Sequence, residues 1–132
     1  MDQSIDMQQR VNELEHALSR RFASASTSVT HVADSAGRLT LQVSWIASAA
    51  QMNILDARCA LSVVLAPRVL GRYASMNTAT RVRARERLSG IAGDVARDAQ
   101  RDGHSGECNA TLDVSEPMLE EAARQLTSAP RD

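Results

Sequence analysis

Chemistry in this chain falls to a short set of side chains: three histidines, two cysteines and fifteen basic residues, all of them arginine. His104 and Cys108, with Cys59 further off, are ligand types that zinc prefers, but neither C-x-x-C nor H-x-x-x-H spacing occurs. Both cysteines alternate with polar or small residues in apolar runs, where a free thiol packs as a small hydrophobe. His104 sits in the polar stretch Asp102 to Gly106. No metal is expected. His31, between Thr30 and Val32, has the chemistry of a general base. The chain offers it no G-x-S-x-G, no paired acid signature and no glycine-rich phosphate loop. The expectation is therefore an ordinary histidine on a sheet surface, with no catalytic residue, no cofactor and no enzyme activity.

The densest basic feature is the run Arg81, Arg83, Arg85 and Arg87, with Arg68 and Arg72 upstream. Guanidinium forks at these six positions are a candidate interaction surface for a protein partner or, as the alternative, for nucleic-acid phosphates. Helical spacing argues against a single basic face. At about 100° per residue Arg83 and Arg87 share the outer side, whereas Arg81 and Arg85 flank the apolar stripe, and Glu86, Asp94 and Asp98 lie close by. A solvated helix face laced with ion pairs is the simpler reading, and nucleic acid is not expected as a partner.

The elements that must hold these residues follow from periodicity. Met7, Val11, Leu14, Leu18 and Phe22 form one stripe of a helix from Asp6 to about Phe22, with Asp6 and Gln9 placed as a capping box and His16 facing solvent beside Arg10, Glu13 and Glu15. A strand is expected over Val29 to Ala33, then a turn at Asp34-Ser35-Ala36-Gly37, where Gly37 supplies the permissive backbone. Arg38 to Ala47 alternates cleanly, Leu39, Leu41, Val43 and Trp45 against Thr40, Gln42, Ser44 and Ile46. Cys59 to Ala66 repeats that logic. Between them, 48–58 reads either as a helical turn capped by Ser48 and Gln51 or, over Met52 to Arg58, as an extension of the third strand in a hairpin containing a bulge.

Pro67 opens a short helix carrying Val69, Leu70, Tyr73 and Ala74. Asn77 as a left-handed cap and Thr78 as an N-cap then join it to a longer helix reaching about Arg101. The apolar face of that helix is read as Ala84, Leu88, Ile91, Val95 and Ala99, with Gly90 and Gly93 marking a kink or a close approach. Cys108 to Val114 is a fourth strand, and a last helix starts near Pro117 with Met118, Leu119, Ala122, Ala123 and Leu126 inward.

The order α-β-β-β-α-α-β-α predicts an α+β fold, a single four-stranded, mainly antiparallel sheet with helices packed on one face. The whole chain, 1–132, is expected to be one domain with 1–5 and 128–132 as flexible tails. The sheet's other face, with Thr40, Gln42, Ser44, Ile46, Ser62 and Val64, is the second candidate contact surface, open to water or covered by a second subunit.

Composition narrows the classes. With 43% hydrophobic residues but only 2% aromatic, the core must be built from aliphatic side chains and alanine. A net charge of -1 excludes binding to nucleic acid or anionic lipid by overall charge. The absence of lysine fits the codon bias of a GC-rich genome. No stretch reaches the roughly 20 apolar residues of a membrane span, and the N-terminal residues do not read as a signal peptide. The cytoplasm is the expected compartment.

Asp56-Ala57-Arg58-Cys59-Ala60-Leu61, then Arg72-Tyr73-Ala74, then Thr80-Arg81-Val82-Arg83 through Arg87-Leu88 resemble a family of short proteobacterial proteins known only as a domain of unknown function. The resemblance covers the middle third of the chain. It implies a bacterial, cytoplasmic protein and carries no activity, cofactor or catalytic residue with it. The combined expectation is a small noncatalytic protein-interaction or regulatory module, with a homodimer as one form.

Overall fold

The structure is a computed structural model that describes residues 2–22, 27–47, 57–102 and 108–128. Four helices, α1 (Asp2–Arg21), α2 (Pro67–Ala74), α3 (Thr78–Asp102) and α4 (Glu116–Ser128), accompany four strands, β1 (Ser28–Ala33), β2 (Leu39–Ala47), β3 (Ala57–Leu65) and β4 (Cys108–Val114). The strands form one sheet in the order β1-β2-β3-β4. β1 with β2 and β2 with β3 are antiparallel, whereas β3 and β4 are parallel. A parallel neighbour cannot be reached by a tight turn, and the crossover here is the helix pair α2 and α3. The α+β expectation and its element order hold.

The β1–β2 turn is built by one side chain. Asp34 Oδ1 accepts the backbone N–H groups of Ala36 and Arg38 at 2.9 and 3.0 Å, and Arg38 Nε donates to Oδ2 at 3.1 Å. These bonds, that from the Arg38 backbone above all, hold the Asp34 carboxyl below its usual range. Gly37 has φ 89°, a left-handed conformation that costs any residue with a Cβ. From that turn the alternation runs as expected: Leu39, Leu41, Val43, Leu61, Val63 and Leu65 are buried on one face. They meet Val11, Leu14 and Leu18 of α1, Val69, Leu70 and Tyr73 of α2, Ala84, Leu88, Ala92 and Ala96 of α3, and Leu119, Ala122 and Ala123 of α4 in one continuous core.

Several local expectations are corrected. α1 starts at Asp2, so Asp6 lies inside the helix and is not the N-cap that the sequence suggests. Asn77 is not left-handed, since among the described residues only Gly37 has positive φ. Instead its side chain accepts the Thr80 N–H at 2.9 Å, so Asn77 itself is the N-cap that Thr78 was expected to be. Ser115 plays the same part for α4, accepting the Met118 N–H at 3.2 Å.

On α3 the deepest positions are Ala84, Ala92 and Ala96, while Ile91, Val95 and Ala99 are only half-buried. The helix touches β3, β4, α1 and α4, so its buried arc is wider than one stripe, and alanines occupy the closest approach. Gly90 and Gly93 mark a close approach made by a side chain from α1. A Cβ on Gly93 would stand 3.2 Å from Arg21 Cδ, and one on Gly90 3.4 Å from an Arg21 terminal nitrogen.

Among the described residues no helix is long and apolar enough to cross a membrane. The uncertain segment 48–58 lies outside the described residues except for 57–58, which belong to β3. His104, residues 129–132 and the side chains of Ile46 and Leu126 lie outside them as well.

Candidate functional site

All four helices pack against the face that carries the leucines, so the opposite face is built by the even-numbered positions of β1 to β3 and the odd-numbered ones of β4. Registration arranges that second face as three rows across the four strands: Val32, Thr40, Val64 and Asp113; Thr30, Gln42, Ser62 and Thr111; Ser28, Ser44, Ala60 and Asn109. No described element covers it. Gln42, Thr30, Thr111 and Asn109 are exposed, the central Thr40, Ser44, Ser62 and Val64 are half-buried by their neighbours, and Val32 is 61% exposed. Five of the six sheet-face candidates thus come together on one surface, and the sixth, Ile46, pairs with Arg58 in the β2–β3 register. Asp113 is the one charged residue in the three rows, in a chain that is 23% charged.

The six candidate arginines do not share a surface. Arg81 is buried at 9% exposure and leaves the candidate set on that ground. Its Nε donates to Glu13 Oε1 at 3.1 Å and its terminal nitrogen to the Met76 carbonyl at 2.6 Å. Arg85 reaches the Tyr73 hydroxyl at 3.3 Å and Glu13 at 3.5 Å, and Arg83 Nε bonds the Ala123 carbonyl of α4 at 3.1 Å. Arg68 and Arg72 face α4 through Glu116 at 3.8 Å and Glu120 at 2.5 Å, one helical turn apart on both helices. Arg87 is exposed. The apolar environment explains the division: α3 is packed on several sides, so a helical face that would be solvated on an isolated helix becomes helix-to-helix contact.

Glu13 is the hub that the sequence hid. It lies between Arg10 at 3.2 Å, Arg81 and Arg85, and it accepts the Tyr73 hydroxyl at 2.7 Å. Tyr73 is fully buried, and that burial, reinforced by the hydrogen bond to the Glu13 carboxylate, pushes its phenol up to about 12. The network ties α1, α2 and α3 together.

His31 points to the helical side of the edge strand β1, and not to the open face. Its Nδ1 lies 3.0 Å from Glu15 Oε2, both side chains being partly exposed. Neither described cavity is lined by it. A cleft of about 470 Å³ opens instead at the far end of the sheet, lined by Phe22, Trp45, Gly93, Ala96, Arg97 and Gln100. Phe22 and Trp45 stack with centroids 5.5 Å apart, and Trp45 Nε1 donates to Gln100 Oε1 at 3.2 Å.

Beneath Trp45 the structure decides what the sequence leaves open: Cys59 and Cys108 form a disulfide, their Cα atoms 4.5 Å apart across β3 and β4. Their proximity depends on the parallel register of β3 and β4, which no local spacing announces. Among the described residues no group of three or more metal-ligating side chains converges.

A family model matches residues 11–113. The chain belongs to the family described as protein of unknown function (DUF3022). The DUF3022 match runs from within α1 to the penultimate residue of β4, so it takes in the open sheet face, both cysteines, Trp45 and Glu13 with Tyr73, Arg81 and Arg85, and leaves Arg10 and α4 outside. No curated protein and no solved structure matches the chain.

Signals for the missed groups were faint. Glu13 is three residues from Arg10, an ordinary helical pair, but its partners on α2 and α3 are 60 and 68 positions away. Tyr73 carried a hint, because a tyrosine in the apolar stripe of a short helix needs a partner for its hydroxyl.

Proposed function

We propose that this chain is a noncatalytic interaction module whose open sheet face docks a second copy of itself. One observation carries the reading: three registered rows of mostly small side chains, neutral except for Asp113, are covered by no described element, on a protein whose remaining surface is rich in arginine and carboxylates. Depletion of charge is the compositional mark of an interface centre. Serine, threonine, alanine and valine permit the close approach, about 10 Å between sheets, that face-to-face packing requires. A nearly neutral face also does not repel its own copy, and the net charge of -1 adds little long-range repulsion.

Size sets the strength. Strands of six to nine residues, four abreast at about 4.8 Å, give a footprint of roughly 500 Å². That is below the roughly 800 Å² per partner of a stable interface, so the association is weak and reversible. We also keep the bacterial cytoplasm as its setting, which the resemblance of the middle third implies. The alternative of nucleic-acid binding loses support because Arg81, Arg83 and Arg85 are engaged within the fold.

Sedimentation equilibrium of the full chain tests the proposal. A monomer–dimer equilibrium is expected, weakened about tenfold or more in Ser62→Glu, which sets like charges near each other across the contact. A particle that stays monomeric up to about 1 mM overturns the homodimer; a dimer indifferent to Ser62→Glu overturns this face as its contact.

A further inference from the structure

We infer that Cys59 and Cys108 are a reversible thiol–disulfide couple whose oxidation state sets the packing of Trp45 in the cleft at the end of the sheet. The inference stands apart from the self-association of the opposite face.

The first ground is how the two sulfurs are held. Cys59 and Cys108 are direct partners in the β3–β4 register, the first of seven registered pairs that run to Leu65 and Val114. The backbone ladder sets the 4.5 Å Cα separation, within the range that a disulfide bridges. Reduction leaves that ladder in place, so the two thiols stay neighbours and re-form the bond without a search. A chain of this length with a continuous core does not need a staple in order to fold.

The second ground is the coupling to Trp45. In the register Trp45 pairs with Cys59, and Cys59 with Cys108, so the three side chains form one row on the helical face of β2, β3 and β4. Trp45 and Ala99 of α3 pack against the two cysteines. Trp45 also stacks on Phe22 and is held by Gln100. Two thiols occupy more room than one disulfide, because bonded sulfurs separate to van der Waals contact. Among the described residues Trp45 and Ala99 are the side chains placed to yield, and Trp45 lines the cleft.

The exchange balances with a dithiol reductant. One of its thiolates attacks Sγ of Cys108, the more exposed residue of the pair at 7% against 2% for Cys59, on the edge strand β4. The S–S bond breaks, the Cys59 thiolate leaves and takes a proton, and a mixed disulfide remains on Cys108. The second thiolate of the reductant then attacks its own mixed-disulfide sulfur and releases the Cys108 thiolate, which is protonated. Two electrons pass to the protein, and the reductant leaves as its cyclic disulfide.

The full chain, equilibrated in buffers of graded reduced-to-oxidised dithiothreitol ratio, tests this. Free thiols are trapped with a maleimide and counted by intact mass, while fluorescence and far-UV circular dichroism are read in parallel. Since Trp45 is the single tryptophan, its emission reports the site alone. The expected result is a gain of two adducts per chain, a change of emission in step with it, unchanged circular dichroism, and full reversal on oxidation. The double variant Cys59→Ser, Cys108→Ser should fold and show an emission indifferent to the buffer. The inference is overturned if both thiols are already free under oxidising conditions, if secondary structure is lost together with the bond, or if Trp45 emission does not respond.

Discussion

The hydroxyl of Tyr73 donates to Glu13 across 2.7 Å, joining a fully buried residue of α2 to a half-buried carboxylate of α1. Tyr73→Phe keeps the packing and removes the bond, leaving Glu13 with its arginines only. A loss of about 1–2 kcal/mol in urea unfolding at pH 7 is expected.

The same phenol predicts an alkaline signature. Burial raises its pKa from 10.0 to about 12 in the folded chain. Its contribution is therefore complete below pH 10 and is lost as pH climbs through about 12, because the unfolded chain ionises first. Two pH units correspond to about 2–3 kcal/mol. Denaturant midpoints measured from pH 9 to 12 should fall more steeply in the wild type than in Tyr73→Phe.

Arg81 and Arg68 make a contrasting pair. Arg81→Ala strips a buried guanidinium from Glu13 and from the Met76 carbonyl, with an expected cost of about 2–4 kcal/mol. Arg68 is 79% exposed and stands 3.8 Å from Glu116, so Arg68→Ala should stay within about 0.5 kcal/mol. Chemical denaturation compares the two directly.

Gly37→Ala should cost about 1–2 kcal/mol, since φ of 89° is unfavourable for alanine and the new Cβ would stand 3.4 Å from Pro67 Cγ. Thermal melting reads the effect.

Removing both sulfurs should lower stability by about 2–4 kcal/mol without unfolding the chain, because the bridge closes a long loop of sequence separation 49. Guanidinium melts of the double serine variant and of the oxidised wild type check it.

Much of the fold was legible because the sheet follows a period of two. The alternation of Leu39, Leu41 and Val43 with Thr40, Gln42 and Ser44 names both faces. What remained hidden depended on long-range geometry. The Cys59–Cys108 pair needs the parallel register of β3 and β4, and Arg81 becomes interior only once Glu13 of α1 stands opposite it. Asn77 shows a local limit, since a short polar side chain between two helices suits either a C-terminal or an N-terminal cap. Only the observed bond to the Thr80 N–H decides.

The most direct test of the open face is a dilution series followed by amide chemical shifts of the full chain. Self-association through this surface predicts concentration-dependent shifts at Thr40, Gln42, Ser44, Ser62 and Val64, with α2 and α3 unmoved. Shifts confined to the helical side, or a spectrum unchanged up to about 1 mM, contradict it.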